Sequence, residues 1–197
     1  QCVFQKTCSS RLRQTVALPA ITAAARRLGG RLSRLSVAQV DLEAMRGKRD
    51  QEMKIGLITL LPEMFAALSD YGICGRAIRD GLVELELVNP RDFTADKHRT
   101  VDDKPFGGGP GMLMKTEPLV AAIRATKDAL TRSTESVPKV VYLSPQGAKV
   151  DQEKVVSEAQ AASLILICGR YQGIDQRVLE SEIDEEWSLG DFVISGG

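Results

Sequence analysis

This sequence predicts an α/β fold, a mainly parallel sheet with helices on both faces, and two observations carry that reading. From Met53 onward short apolar runs alternate with segments of helical length, the order that builds a parallel sheet. Three of the later runs each break into a small-residue loop, at residues 140–147, 164–175 and 190–197. Strands that end in glycine loops put flexible main chain along one sheet edge, and in open α/β sheets ligands bind beyond the strand carboxyl ends.

The elements follow in order. Residues 54–61 read as a buried strand, and Pro62 suits the first position of a helix reaching Asp70. Residues 73–80 form a second short helix stopped by Gly81, and 82–88 alternate apolar and acidic as a half-buried strand. A long unpatterned loop, 89–115, leads to a helix capped by Thr116 with Pro118 in its first turn, running to about Leu130. A strand at 140–143, a helix at 151–162, a strand at 164–168, a helix at 174–181 and a strand at 192–194 complete the sheet. The chain then stops on Ser195-Gly196-Gly197, leaving the last crossover unbuilt, as in a fragment.

Of the 197 residues 43% are hydrophobic and 26% charged, which is soluble globular composition. No apolar run approaches the roughly 18–20 residues that span a bilayer, so no membrane partner is expected. The formal charge of zero hides an asymmetry. Residues 1–52 carry ten Lys and Arg against four Asp and Glu, and the rest sixteen against twenty-two. Residues 1–52 therefore read as a basic extension, disordered or partly helical over 23–35. Three readings stand for it: translated upstream sequence, an organellar transit peptide, or a nucleic-acid arm. Cysteines at 2, 8, 74 and 168, with one histidine, fit no zinc framework and no disulfide pattern. Cys168, ending an apolar strand, reads as a buried small hydrophobe.

Two loops hold residues suited to chemistry. The glycine run after His98, Arg99, Asp102 and Asp103 lacks the Lys-Ser/Thr of a phosphate-binding loop, leaving a surface turn or a flap bearing Arg99, Asp102 and Asp103 toward a substrate. The turn from Gly169 to Asp175 runs straight into a helix, so its N–H groups favour electron-rich ligand atoms. His98 reads as a phosphate contact or a simple exposed histidine. The acidic stretch 182–186 reads as solvated surface, and Trp187 as packing.

Taken together, these motifs resemble the bacterial tRNA (guanine-N(1)-)-methyltransferases of the TrmD type. The resemblance starts at Met53 with Leu61-Pro62-Glu63-Met64-Phe65 and continues through Pro90-Arg91-Asp92-Phe93-Thr94 and His98-Arg99-Thr100-Val101-Asp102-Asp103. It then runs through 106–114, 142–147, 168–175 and 182–197. Residues 1–52 have no counterpart.

The resemblance implies a SPOUT fold closed by a C-terminal trefoil knot, incomplete here, where patterning alone gives an unknotted doubly wound sheet. It also implies a cytoplasmic homodimer that methylates guanosine 37 of tRNA at N(1) with S-adenosylmethionine. The cofactor pocket would use Tyr142, Leu143, Ser144, Pro145 and Gly147, then Gly169 and Tyr171, then Leu189, Gly190, Asp191, Phe192, Val193 and Ile194, with Gly196 and Gly197. Asp102 and Arg170 fall at substrate positions. Gln172 stands where the family usually has a Glu that contacts guanine and Mg²⁺, and losing that charge puts Mg²⁺ in question. The family's general base, its catalytic Arg and its helical tRNA-binding domain belong beyond Gly197, so no catalytic residue and no metal ligand is assigned to this chain. The fragment is thus expected to form part of the cofactor site without turning over. Three readings compete: a SPOUT methyltransferase for another RNA base, a non-catalytic RNA-binding module using the 1–52 arm, and a truncated, poorly folded product.

Overall fold

The computed structural model describes residues 52–194. Its strands are β1 Met53–Ile58, β2 Val83–Val88, β3 Asp102–Asp103, β4 Leu113–Met114, β5 Lys139–Lys149, β6 Ser163–Cys168 and β7 Glu185–Ser188. Its helices are α1 Ala66–Ser69, α2 Gly72–Arg79, α3 Thr116–Thr134, α4 Gln152–Glu158 and α5 Gln176–Glu182, with 3-10 turns at Pro62–Phe65 and Pro90–Phe93. The expectations for residues 1–51 and for Ser195, Gly196 and Gly197 lie outside the described residues.

Five strands form one sheet in the order β2-β1-β6-β5-β7, and every pair in it is parallel. The parallel α/β expectation holds. With right-handed crossovers, the moves β1 to β2 and β5 to β6 carry α1, α2 and α4 to one face. The opposite moves, β2 to β5 and β6 to β7, carry α3 and α5 to the other.

α3 forms because apolar side chains recur at helical spacing. Leu119, Ala122, Ile123, Thr126 and Leu130 are all buried on one stripe. That stripe packs on Ile58, Val140, Tyr142, Ile165 and Ile167, which alternate along β1, β5 and β6. The contact is close at Gly56, where a Cβ would stand 2.6 Å from the Thr126 methyl. The helix outruns its expected end and stops at Glu135, which takes a φ of 56° and donates its N–H to the Thr131 carbonyl. Thr116 does not cap it. Lys115 holds that position, with no side-chain hydrogen bond there.

The stretch 192–194 is not a strand. The last strand among the described residues is β7, hidden in sequence by its acidic character. Its charge is compensated: Glu185 lies 2.9 Å from the Lys139 ammonium and 2.6 Å from that of Lys154, and Glu158 joins the same two lysines. Trp187 donates its indole N–H to Glu185 at 2.7 Å, and Lys154 sits over the ring. The expectation of a merely solvated acidic surface fails here, because Lys139, Lys154 and Glu158 bind α4 to the sheet edge. Nor is 89–115 wholly irregular, since it contains the Pro90–Phe93 turn and the β3–β4 ladder.

Candidate functional site

β6, β5 and β7 are neighbours and parallel, so their carboxyl ends meet on one edge. After β5 the chain leaves toward α4 on one face, and after β6 toward α5 on the other. Adjacent strands with oppositely directed connections open a crevice, the usual ligand position in such sheets. The described parts of the three sequence-derived loops, up to residue 194, are brought to that edge.

Tyr142, on β5 at this edge, is 8% exposed. Burial pushes its phenol above the ordinary tyrosine range, with Glu186 adding to the effect. Its hydroxyl would stand 2.8 Å from a Cβ at Gly169 and 3.5 Å from one at Gly173, so the ring reaches under the second loop because both glycines lack side chains. Tyr171, between them, takes a φ of 60° and is turned outward, exposed. Arg170 is half-buried beside it.

The first loop is a break within β5. Leu143 and Ala148 both register against Trp187, so 144–147 bulge out and the strand then rejoins β7. Ser144 is buried and its hydroxyl accepts the Gln146 N–H at 3.2 Å, while Pro145 is exposed. A Cβ at Gly147 would stand 2.5 Å from the Glu186 carbonyl carbon, so the close approach of β5 to β7 by itself accounts for glycine there. In the third loop the Ser188 hydroxyl donates to the Gly190 carbonyl at 2.9 Å and accepts its N–H at 3.1 Å. The Phe192 ring fills the space beside Gly190, while Leu189, Asp191, Phe192, Val193 and Ile194 are all exposed.

The flap was legible as a glycine run, but its attachment was not. Gln172 donates its N–H to the Met112 carbonyl, Met114 donates to the Gly173 carbonyl, both at 3.0 Å, and Met114 bridges Ile174. β4 also pairs with β3, with Asp102 opposite Met114. Asp102 and Gln172 are thereby brought to one junction of flap and second loop. The signal available in sequence was Gly111, whose missing side chain makes room for Gln172. Arg99 does not reach toward that junction. It pairs with Asp92 and donates to the Arg91 carbonyl, with His98 exposed beside it. The α5 N-terminus is filled by Asp175, which accepts from the Arg177 N–H and side chain and is held down to about 2 chiefly by the latter. Electron-rich ligand atoms therefore meet a helix end already capped.

Cys168 closes β6 buried, and desolvation pushes its thiol up to about 11. Among the described residues no group of three or more His, Cys, Asp or Glu side chains converges as for a metal ion. Among them, too, no helix is long and apolar enough to cross a membrane.

The family model for tRNA (Guanine-1)-methyltransferase TrmD matches residues 53–197. The chain belongs to this family. A protein of Shewanella baltica named tRNA (guanine-N(1)-)-methyltransferase is 58% identical over 145 residues, covering 74% of this chain and 57% of its own length. One of the same name from Shewanella sediminis is 57% identical, covering 74% and 58%. The crystal structure of the tRNA (m1G37) methyltransferase from Aquifex aeolicus superposes with a TM-score of 0.63 at 36% identity, over 75% of this chain and 64% of that one. The chain thus spans a little over half the length of the curated relatives it matches. The family resemblance carried by the motifs from Met53 holds, and the parallel α/β fold of the family is the fold observed.

Proposed function

We propose that residues 53–197 supply the S-adenosylmethionine pocket and part of the guanine site of a cytoplasmic enzyme that methylates guanosine 37 of tRNA at N(1). The single observation that carries this reading is the sheet edge where β6, β5 and β7 end side by side, with the Tyr142 hydroxyl close against Gly169 and Gly173. Residues present there suit a methyl donor of this kind, since main-chain groups of 143–145, 169–171 and 189–194 would be available to its polar edges. When bound, the donor supplies an electrophilic methyl on a sulfonium.

Guanine N(1) carries a proton at neutral pH and is a poor nucleophile until it is removed. Asp102, half-buried at the flap junction, is assigned to orient the guanine, with Arg170 and Gln172 contacting it from the second loop. Donors facing O6 would stabilise the charge that builds there. No proton acceptor is assigned among the described residues. Mg²⁺ is left unassigned, because Gln172 offers an amide where a carboxylate would attract the ion. A homodimer is supported by the apolar side chains of Leu68, Tyr71 and Ile73 near the first crossover, and of Leu189, Phe192, Val193 and Ile194 after β7, all left exposed.

The test is calorimetric titration of S-adenosylmethionine into the chain, with Gly169→Trp as the blocked-pocket variant. Saturable binding lost in the variant supports the pocket. Equal binding by both proteins, or none by the unmodified chain, sinks it.

A further inference from the structure

We propose that Phe106, at the tip of the flap, is a base-stacking residue for an unpaired nucleotide next to the target guanosine. This rests on the RNA-methylating reading above, and it adds a contact at the tip of the flap.

Phe106 is 98% exposed, an extreme value for a large aromatic. It is nonetheless held. Gly108 donates its N–H to the Pro105 carbonyl at 3.0 Å, and Gly107 takes a φ of 82°, as the third position of a type II turn requires. Phe106 is therefore the corner residue of a defined turn. The turn stands on a stem fastened by the β3–β4 pairing and by the Met112 and Gly173 carbonyls. Around it the backbone is open: a Cβ at Gly107, Gly108 or Gly109 would meet nothing within 4 Å. The stem presents one aromatic ring almost wholly open to solvent.

Beside the ring lies a cleft of about 360 Å³, lined among others by Asp103, Lys104, Arg124, Arg177 and Val178. Asp103 borders this cleft, and so do Leu113 and Met114 of β4 and Asp175 at the end of the second loop. Its arginines are already matched, Arg124 with Glu182 at 2.5 Å and Arg177 with Asp175 at 2.8 Å. Near charge balance and a free ring favour a flat, neutral base over a phosphate. An apolar protein partner fits less well, since the neighbours of Phe106 are Lys104, Pro105 and glycines rather than a contiguous apolar patch. Stacking on an aromatic ring is the general means of holding unpaired bases.

The experiment uses the full chain, saturated with S-adenosylmethionine, and an RNA hairpin carrying 2-aminopurine in its loop beside a guanosine. Stacking on Phe106 quenches the probe on binding. Phe106→Ala and Phe106→Leu should weaken binding about tenfold and abolish the quench, whereas Phe106→Trp should keep both. The salt dependence of binding should be the same in all four proteins, because no phosphate contact is lost. A Leu variant that binds and quenches like the unmodified chain overturns the proposal. So does a Phe106→Ala effect seen only as weaker self-association, which would mark a protein contact. A chain that binds cofactor but neither binds nor quenches the hairpin overturns the stacking alone, while failure to bind either ligand overturns the functional reading with it.

Discussion

The Gln172 side chain lies against the backbone of Gly111, so closely that a Cβ there would stand 2.2 Å from the side-chain amide carbon. Gly111 also takes a φ of 90°, outside the range L side chains favour. Backbone conformation demands glycine at the point where the flap meets the second loop, and its missing Cβ leaves room for the Gln172 amide.

Gly111→Ala should therefore cost about 1–3 kcal/mol through the backbone alone, with the clash added to it. Gln172→Ala removes the clash but not the backbone strain. Chemical denaturation of the two single variants and the double variant forms a cycle, and the double should be more stable than additivity predicts by about 0.5 kcal/mol or more. Strict additivity would mean that the two residues do not touch in solution.

The approach of α3 to β1 yields a parallel expectation in the core. Gly56→Ala places a methyl 2.6 Å from the Thr126 methyl and should destabilise by about 1–3 kcal/mol. Thr126→Ser deletes that methyl and keeps the hydroxyl, which donates to the Ala122 carbonyl at 2.8 Å. In the Gly56→Ala background the serine should recover part of the loss, measured as a rise in urea midpoint. No recovery would place the strain elsewhere.

What was legible in the sequence followed periodicity. The Leu119 to Leu130 stripe and the run ending in Cys168 announced α3 and β6, because burial on one helical face, or in a central parallel strand, leaves a pattern in the residues themselves. β7 left none. Glu185 and Glu186 read as surface until Lys139 and Lys154, 46 and 31 positions away, are seen to neutralise Glu185. The same holds for the site. Glycine loops at strand ends gave the edge of the sheet, but the fastening of the flap through Met112, Gln172 and Met114 is a long-range pairing with no local signature.

Cys168 should be chemically silent in the folded chain. With its thiol pushed up to about 11, roughly one in a thousand is thiolate at pH 8, and the thiolate is the reactive form. Mass spectrometry of the peptide containing Cys168 after timed alkylation should show labelling no faster than unfolding, while exposed Cys74 reacts promptly. Fast labelling of Cys168 would mean that the end of β6 opens locally.

Acid should loosen α4 from the sheet edge. Glu185 has its carboxyl lowered from 4.5 to about 2, first by the Lys154 hydrogen bond, then by the Trp187 indole and by Lys139. A carboxyl depressed in the folded state contributes stability that is fully present above its unfolded value. That contribution fades as pH falls from about 4.5 toward 2. Glu185→Gln keeps the shape and a hydrogen-bond acceptor but removes the charge, so it should be clearly less stable than the unmodified chain at pH 7. The gap between the two should begin to narrow near pH 4.5, remain clear at pH 3 and nearly close only at about pH 2 and below, read from urea midpoints across the range. Asp175, also lowered to about 2, titrates in both proteins and cancels from the difference. A gap that stays constant with pH would show that Glu185 acts through packing rather than through its charge on Lys139 and Lys154.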